Sequence, residues 1–242
     1  MRLKKIQEKN RLEKVASLYD PQNQRVENIL INYKLEAIVP MISGPKVLEM
    51  GCSTGIMTKR LAEKFSDLTV VDGSKKYIEY TRNLVKKKGI KFVVSLFEDF
   101  NSNERFDDII MANILEHVEN PVFILKRAKK WLKTNGRIHI TVPNVRSLHR
   151  RIGQKMRLIK KLDDFSENDR KIGHRRTYTK ESLKKDIDKA GLKAIYEQGI
   201  FLKPLSNSQL ANWDKKIFDA FFEIGKELPD YCSTIYIVCK QK

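Results

Sequence analysis

The sequence predicts an α/β protein built on an open, mostly parallel sheet with helices on both faces. Three observations carry this. Runs rich in β-branched residues alternate with helical patterns from Lys46 to Pro143. Those runs are apolar on both faces, as strands covered by helices on either side must be. The first run, KVLEM at 46–50, breaks into Gly51-Cys52-Ser53-Thr54-Gly55 and resumes as an amphipathic helix, the arrangement that places a ligand at the carboxyl ends of parallel strands.

Taken in order, residues 1–18 read as a charged helix, and the DPQNQ turn at 20–24 starts a second helix that runs to about Ile38. KVLEM is a strand and Thr54–Phe65 a helix. LTVVD (68–72) is a strand and Lys75–Lys88 a helix. IKFVVS (90–95) and FDDIIMAN (106–113) are strands, Asn120–Lys133 is a helix stopped by TNG, and RIHITVP (137–143) is a strand. The alternation then fails. Residues 144–178 are polar and irregular, as expected of a lid or binding loop. A helix (Lys180–Ala190), a strand (192–199), a second insertion (204–230) and a last strand, STIYIVCK, complete the chain. With no helix after it, the last strand is expected to pair antiparallel.

Composition narrows the function. The chain has 242 residues and a formal charge of +18. Its lysines are interleaved with acids on helix faces, and no basic run carries interleaved aromatics, so nucleic acid is not the expected partner. No run reaches the ~20 apolar residues of a membrane span, and the basic N-terminus lacks an apolar core of a leader. A cytoplasmic protein is expected. Three cysteines, Cys52, Cys232 and Cys239, lack metal-like spacing and read as reduced thiols.

The first turn puts main-chain N–H groups at a helix N-terminus, and its glycines allow close approach of a ligand and positive φ. It is neither a G-x-G-x-x-G nor a Walker pattern. An acid, Glu49, precedes the turn, and a second, Asp72, ends the next strand. A carboxylate there suits the two hydroxyls of a ribose. The ligand is therefore a nucleoside with a cationic rather than a phosphorylated tail.

At these residues the chain resembles the class I S-adenosylmethionine-dependent methyltransferases, and within them the ubiquinone-biosynthesis O-methyltransferase-like group. VLEMGCSTG resembles their first motif, with Ser53 at the middle glycine. VVDGS resembles the second, FDDIIMANILEHVENP the fourth-strand region, and GRIHITVPN the fifth strand. The resemblance spans roughly residues 30–145. It implies a Rossmann-like fold with a seven-stranded sheet and an antiparallel last strand. The whole chain would form one domain: N-terminal helices (1–40), a cofactor-binding core (41–143) and substrate-capping insertions (144–178 and 204–230). It implies that S-adenosylmethionine is the cofactor and S-adenosylhomocysteine its product. Gly51, Ser53 and Gly55 would contact its methionine part, with Glu49 holding the turn or the amino group, Asp72 the ribose, and Leu96, Phe97 and Glu98 the adenine. Asn113 would lie beside the methionine moiety; Cys52, Gly73 and Ile114 complete the expected set.

Methyl transfer from a sulfonium needs in-line positioning, exclusion of water and, for oxygen or nitrogen acceptors, removal of a proton. His117, His149 and His174 are the candidate bases; His139, alternating within a strand, reads as structural. The insertion carries SLHRR (147–151) and GHRRTY (173–178), whose arginine pairs, Arg150, Arg151, Arg175 and Arg176, suit a carboxylate or phosphate. FLKPLSN adds Lys203 and Asn207, and Tyr33, Asn144 and Tyr178 join the expected substrate contacts. These segments resemble a group of bacterial methyltransferases sharing PN…SLHR…GH.R.Y…KPLSN. The expected acceptor is a small anion, such as a phosphorylated or nucleotide-linked sugar of surface-polysaccharide synthesis, methylated on oxygen. A metal is not expected, because no His/Asp set has ligand spacing. An RNA methyltransferase and a non-catalytic cofactor-binding subunit are the rivals, and a homodimer stays open.

Overall fold

The computed structural model describes residues 2–18 and 25–242. The DPQNQ turn lies outside them. Two helices, α1 (Arg2–Leu18) and α2 (Arg25–Ile38), lead into β1 (Lys46–Met50), α3 (Ile56–Lys64), β2 (Asp67–Asp72), α4 (Lys75–Val85), β3 (Lys91–Val94), β4 (Phe106–Ala112), α5 (Pro121–Trp131) and β5 (Leu132–Pro143). The second half holds α6 (Leu148–Lys155), α7 (Glu167–Ile172), α8 (Lys180–Lys189), β6 (Leu192–Ile200), α9 (Asn207–Leu210), α10 (Lys215–Glu227) and β7 (Thr234–Gln241).

The seven strands form one sheet in the order β3-β2-β1-β4-β5-β7-β6. Pairings among β1 to β5 are parallel, and β7 runs antiparallel between β5 and β6. The order reverses between β1 and β4, so their carboxyl ends open a crevice. One core packs α5 and α8 on the sheet through Ile124, Leu125, Leu183 and Ile187; the other packs α2, α3 and α10 through Ile38, Leu61 and Phe218. Fully buried His139 hydrogen-bonds Asp108 and Tyr236, each at 2.8 Å, the structural role expected of it. All three cysteines are free and buried. No helix of the described residues is long and apolar enough to cross a membrane.

Two expectations fail for physical reasons. Thr134-Asn135-Gly136 does not stop α5. The helix ends at Trp131, Leu132 turns extended to pair with Phe106, and TNG lies within β5. Gly136 is needed there for close approach, since a Cβ would lie 2.9 Å from the Phe106 carbonyl oxygen. Residues 144–178 are not irregular throughout. Ser147 and Ser166 precede α6 and α7, and Ser166 with Asp169 forms a capping box. The second insertion likewise holds α9 and α10.

Candidate functional site

The crevice has two ends. At the first, β1 enters a turn held by left-handed residues: Gly51 (φ 85°), Ser53 (φ 44°) and Gly55 (φ 75°). A serine at the middle position therefore accepts a conformation that costs it free energy. Asp72 staples this turn to the next: its Oδ2 accepts from Cys52 N (3.0 Å) and its Oδ1 from Ser74 N (2.8 Å). Burial raises the Asp72 pKa, and the N–H groups of Ser74, Cys52 and Ser53 oppose the rise.

Glu49 is 1% exposed, and neither carboxylate oxygen has a hydrogen-bond partner. Burial, with the Asp72 charge adding to it, pushes its pKa up to about 8; the Thr58 hydroxyl opposes this from outside hydrogen-bond geometry. Ile114 covers the turn so closely that a Cβ on Gly51 would lie 2.3 Å from its Cδ1, with Phe97 Cζ at 3.7 Å. Gly73 is covered by Leu96 and by Leu12 of α1. Glu98, half-buried and with its pKa raised by burial, lines an open groove of about 640 Å³ with Asp99, Arg105 and Arg127. Glu49, the 51–55 turn, Asp72, Gly73, Leu96, Phe97 and Ile114 thus form one neighbourhood, with Glu98 on a separate groove and Asn113 at the other end; an orphaned buried carboxylate and a cradle too tight for side chains fit the expected ligand.

The second end is a cluster of partly buried titratable side chains, a candidate acceptor chamber, drawn from four separate segments. From α2, Lys34 donates to Asn113 Oδ1 at 2.6 Å; Asn113, after β4, has φ 57° and also accepts from Thr141. Burial lowers the Lys34 pKa to about 8, against the pull of Glu116. Glu116 is 1% exposed with both oxygens unpartnered, and burial raises its pKa to about 7. Next to it, the His117 and His174 rings meet edge to face at 4.7 Å. Burial, then the nearby His174 and Arg11, lower the His117 pKa to about 3. Asp169 Oδ1 holds His174 Nδ1 at 3.1 Å. His149 does not join this pair. It lies by Lys203 and Arg150, its Nδ1 unpartnered and its pKa lowered to about 3, chiefly by burial. Lys203 is itself lowered to about 8 by burial, against the pull of Glu27 and Asp169. Asn207 donates to Glu27 at 2.6 Å and leaves its Oδ1 unpartnered.

The structure redirects most of the expected substrate contacts. Arg175 donates to the carbonyl of His117 and to Glu8; Arg176 donates to the carbonyls of Leu115, Val118 and Glu119. Arg150 binds the carbonyls of Leu162 and Asp164, and Arg151 that of Arg146. These guanidinium groups brace backbone rather than converge on a pocket, because carbonyls exposed by irregular chain are the nearest acceptors. Tyr33 stacks on Phe222 at 4.3 Å and donates to Asp219; Tyr178 donates to Asp186; Asn144 donates to the carbonyls of Asp230 and Cys232. All three are structural. Sequence reasoning missed Lys34 and Asp169, and it weighed Glu116 only as one of several carboxylates without metal-ligand spacing. It also expected no ligand set for a metal, yet Glu116, His117 and His174 bring three ligand atoms within 4.8 Å of one another. His174 lies 57 positions along the chain from His117, so no local spacing announces the set.

A doubly wound sheet with this strand order, a glycine turn after β1, an acid next to the end of β1 and an acid ending β2 defines the class I methyltransferase fold. The family profile described as a methyltransferase domain matches residues 19–197, and the chain belongs to that family. A ubiquinone biosynthesis O-methyltransferase of Pelagibacter ubique is 30% identical over 120 residues, 49% of this chain and 50% of that protein. The chain spans about half the length of such curated relatives. Among solved structures, a S-adenosylmethionine-dependent methyltransferase of Thermotoga maritima aligns with a TM-score of 0.65 at 17% identity, covering 96% of this chain and 100% of that one. The N-methyltransferase NodS of Bradyrhizobium japonicum, in complex with S-adenosylhomocysteine, aligns with a TM-score of 0.55 at 15% identity, covering 93% and 90%. These two show the fold.

Proposed function

We propose that the protein methylates an oxygen of a small anionic acceptor with S-adenosylmethionine, the acceptor being a phosphorylated or nucleotide-linked hydroxyl compound. The observation that carries the cofactor part is the orphaned Glu49 carboxylate beside the tight Gly51 turn. Glu49 and the Asn113 region would meet the amino-acid part, Asp72 the ribose, and Leu96 and Phe97 the base. When bound, S-adenosylmethionine supplies a methyl group already activated by its sulfonium, so the chain has only to align the acceptor, keep water out and take a proton.

The chamber supports the acceptor part. Lys34 and Lys203 are half-buried cations whose pKa values burial lowers, and an anion beside such a cation favours its charged form. Asp169 holds the Nδ1 side of His174, which leaves Nε2 to receive the acceptor's proton. Arg175 and Arg176 fix the backbone that carries Glu116 and His117 against the segment that carries His174.

A second reading is favoured by Glu116, His117 and His174. A carboxylate and two imidazoles suit a divalent cation, which would lower the pKa of an acceptor hydroxyl when bound. Turnover across a panel of phosphorylated and nucleotide-linked acceptors, before and after chelation and metal add-back, tests both. Activity indifferent to chelation supports the imidazole base; loss restored by one cation supports the metal. Failure of the purified chain to bind S-adenosylhomocysteine overturns the whole proposal.

A further inference from the structure

Helix α1 lies outside the matched family region, yet it touches both ends of the crevice. At the cofactor end, Leu12 covers Gly73 so closely that a Cβ there would be 2.4 Å from Leu12 Cδ1, with Leu96 Cδ2 at 3.1 Å. Glycine at 73 leaves the turn without an apolar side chain of its own, and α1 supplies one. Glu13 then fixes the helix: its carboxylate accepts from Ser74 Oγ (3.1 Å) and from the Lys75 main-chain N–H (2.6 Å). Those donors sit at the start of α4, where a carboxylate is favoured by the unsatisfied N–H groups. Lys76 adds a bond to Ser17, and Lys5 pairs with Asp99.

The same helix reaches the segment that carries His174, the cover of the proposed acceptor chamber. Glu8 takes both Arg11 and Arg175, the latter at 2.8 Å. Although burial alone would raise the Glu8 pKa, these two guanidinium groups hold it below the ordinary range. Arg11 lies against Gly173, immediately before His174. One turn of α1 therefore separates the residue over Gly73 from the one that grips Arg175.

We infer that α1 is a working part of the cofactor site: Leu12 closes the adenosine cleft over Gly73, and Glu8, through Arg175, ties that closure to the cover of the acceptor chamber. This rests on the cofactor reading above. S-adenosylhomocysteine then leaves only when α1 lifts, and loosening the chamber cover loosens the ligand as well.

The test uses the full-length chain and S-adenosylhomocysteine, with affinity from calorimetry and dissociation rate from rapid displacement. Leu12→Asp is expected to weaken binding at least tenfold and Leu12→Ala about tenfold, mostly as faster release, from the apolar surface lost. Glu8→Gln and Arg175→Gln are each expected to speed release about threefold, and the double variant no more than either alone. Amide exchange along α1 in the wild type should slow on ligand binding. Wild-type release rates in both Leu12 variants, additive effects in the cycle, or unchanged α1 exchange with ligand bound would each overturn the latch. Absence of binding to the wild type would instead remove the cofactor reading, so the two failures are distinct.

Discussion

The two ends of the crevice hold their charges in opposite ways. At the cofactor end, Asp72 is tied to the main chain of two neighbouring turns and Glu49 sits alone beside them, all within residues 49–74. In the chamber, Lys34, Glu116, His174 and Lys203 come from distant parts of the chain, and each depends on another segment for its setting. A cradle made of consecutive residues is positioned by strand and turn alone. A chamber assembled from four segments is positioned by whatever braces them. Here that is the set of arginines expected to bind substrate.

The chamber should therefore fail most completely when its acid–base group is removed. His174→Ala is expected to lower turnover by about 10²- to 10⁴-fold, the usual contribution of a positioned proton acceptor. S-adenosylhomocysteine affinity should stay within about threefold of wild type, which separates chemistry from cofactor binding. Equal losses in both would mean that the two ends are not independent. Asp72→Ala should do the reverse. Loss of charged hydrogen bonds is expected to weaken S-adenosylhomocysteine about 100-fold by calorimetry. An unchanged affinity would reduce Asp72 to a staple between turns.

This division also sets what the sequence could disclose. The alternation of strands and helices, the antiparallel last strand and the residues of the cofactor end follow from local patterns: apolar runs, two glycines, an acid at or next to each strand end. TNG was misread because its glycine serves a close approach to β4 rather than a helix stop, a fact of tertiary packing. In the chamber, residue types were legible but partners were not. Nothing in GHRRTY states that its arginines will meet the carbonyls of residues 115–119 before any ligand, nor that its histidine will meet His117. Lys34, on a helix ahead of the first motif, carried no signal at all.

The bracing itself gives the third test. Arg176 links three carbonyls of the segment after β4 to the chamber cover. Arg176→Ala should cost about 2–3 kcal/mol of stability in denaturant unfolding. It should expose residues 144–178 to protease and, through the tie of that segment to α1, weaken S-adenosylhomocysteine by no more than about threefold. A substrate clamp would behave differently: stability would hold and KM for the acceptor would rise.

The smallest effect belongs to Glu49, and it reports on the cofactor end through pH. Its pKa is about 8 in the fold against roughly 4.3 in an unfolded chain. Between those values the folded state keeps a proton that the unfolded state releases, so stability falls as pH rises through this window and the loss is complete above the folded pKa. Wild-type stability should thus fall by on the order of 2 kcal/mol from about pH 5.5 to about pH 8.5 through this residue, read as a drop of several degrees in Tm. Glu49→Gln, with the same shape and no proton to lose, should flatten that fall and be the more stable protein at the upper pH. Saturating S-adenosylhomocysteine should flatten it in the wild type too, because an ammonium group beside the carboxylate favours its charged form and draws the folded pKa back down. A slope removed by the glutamine but untouched by the ligand would place Glu49 in the core of the fold and outside the cofactor's reach.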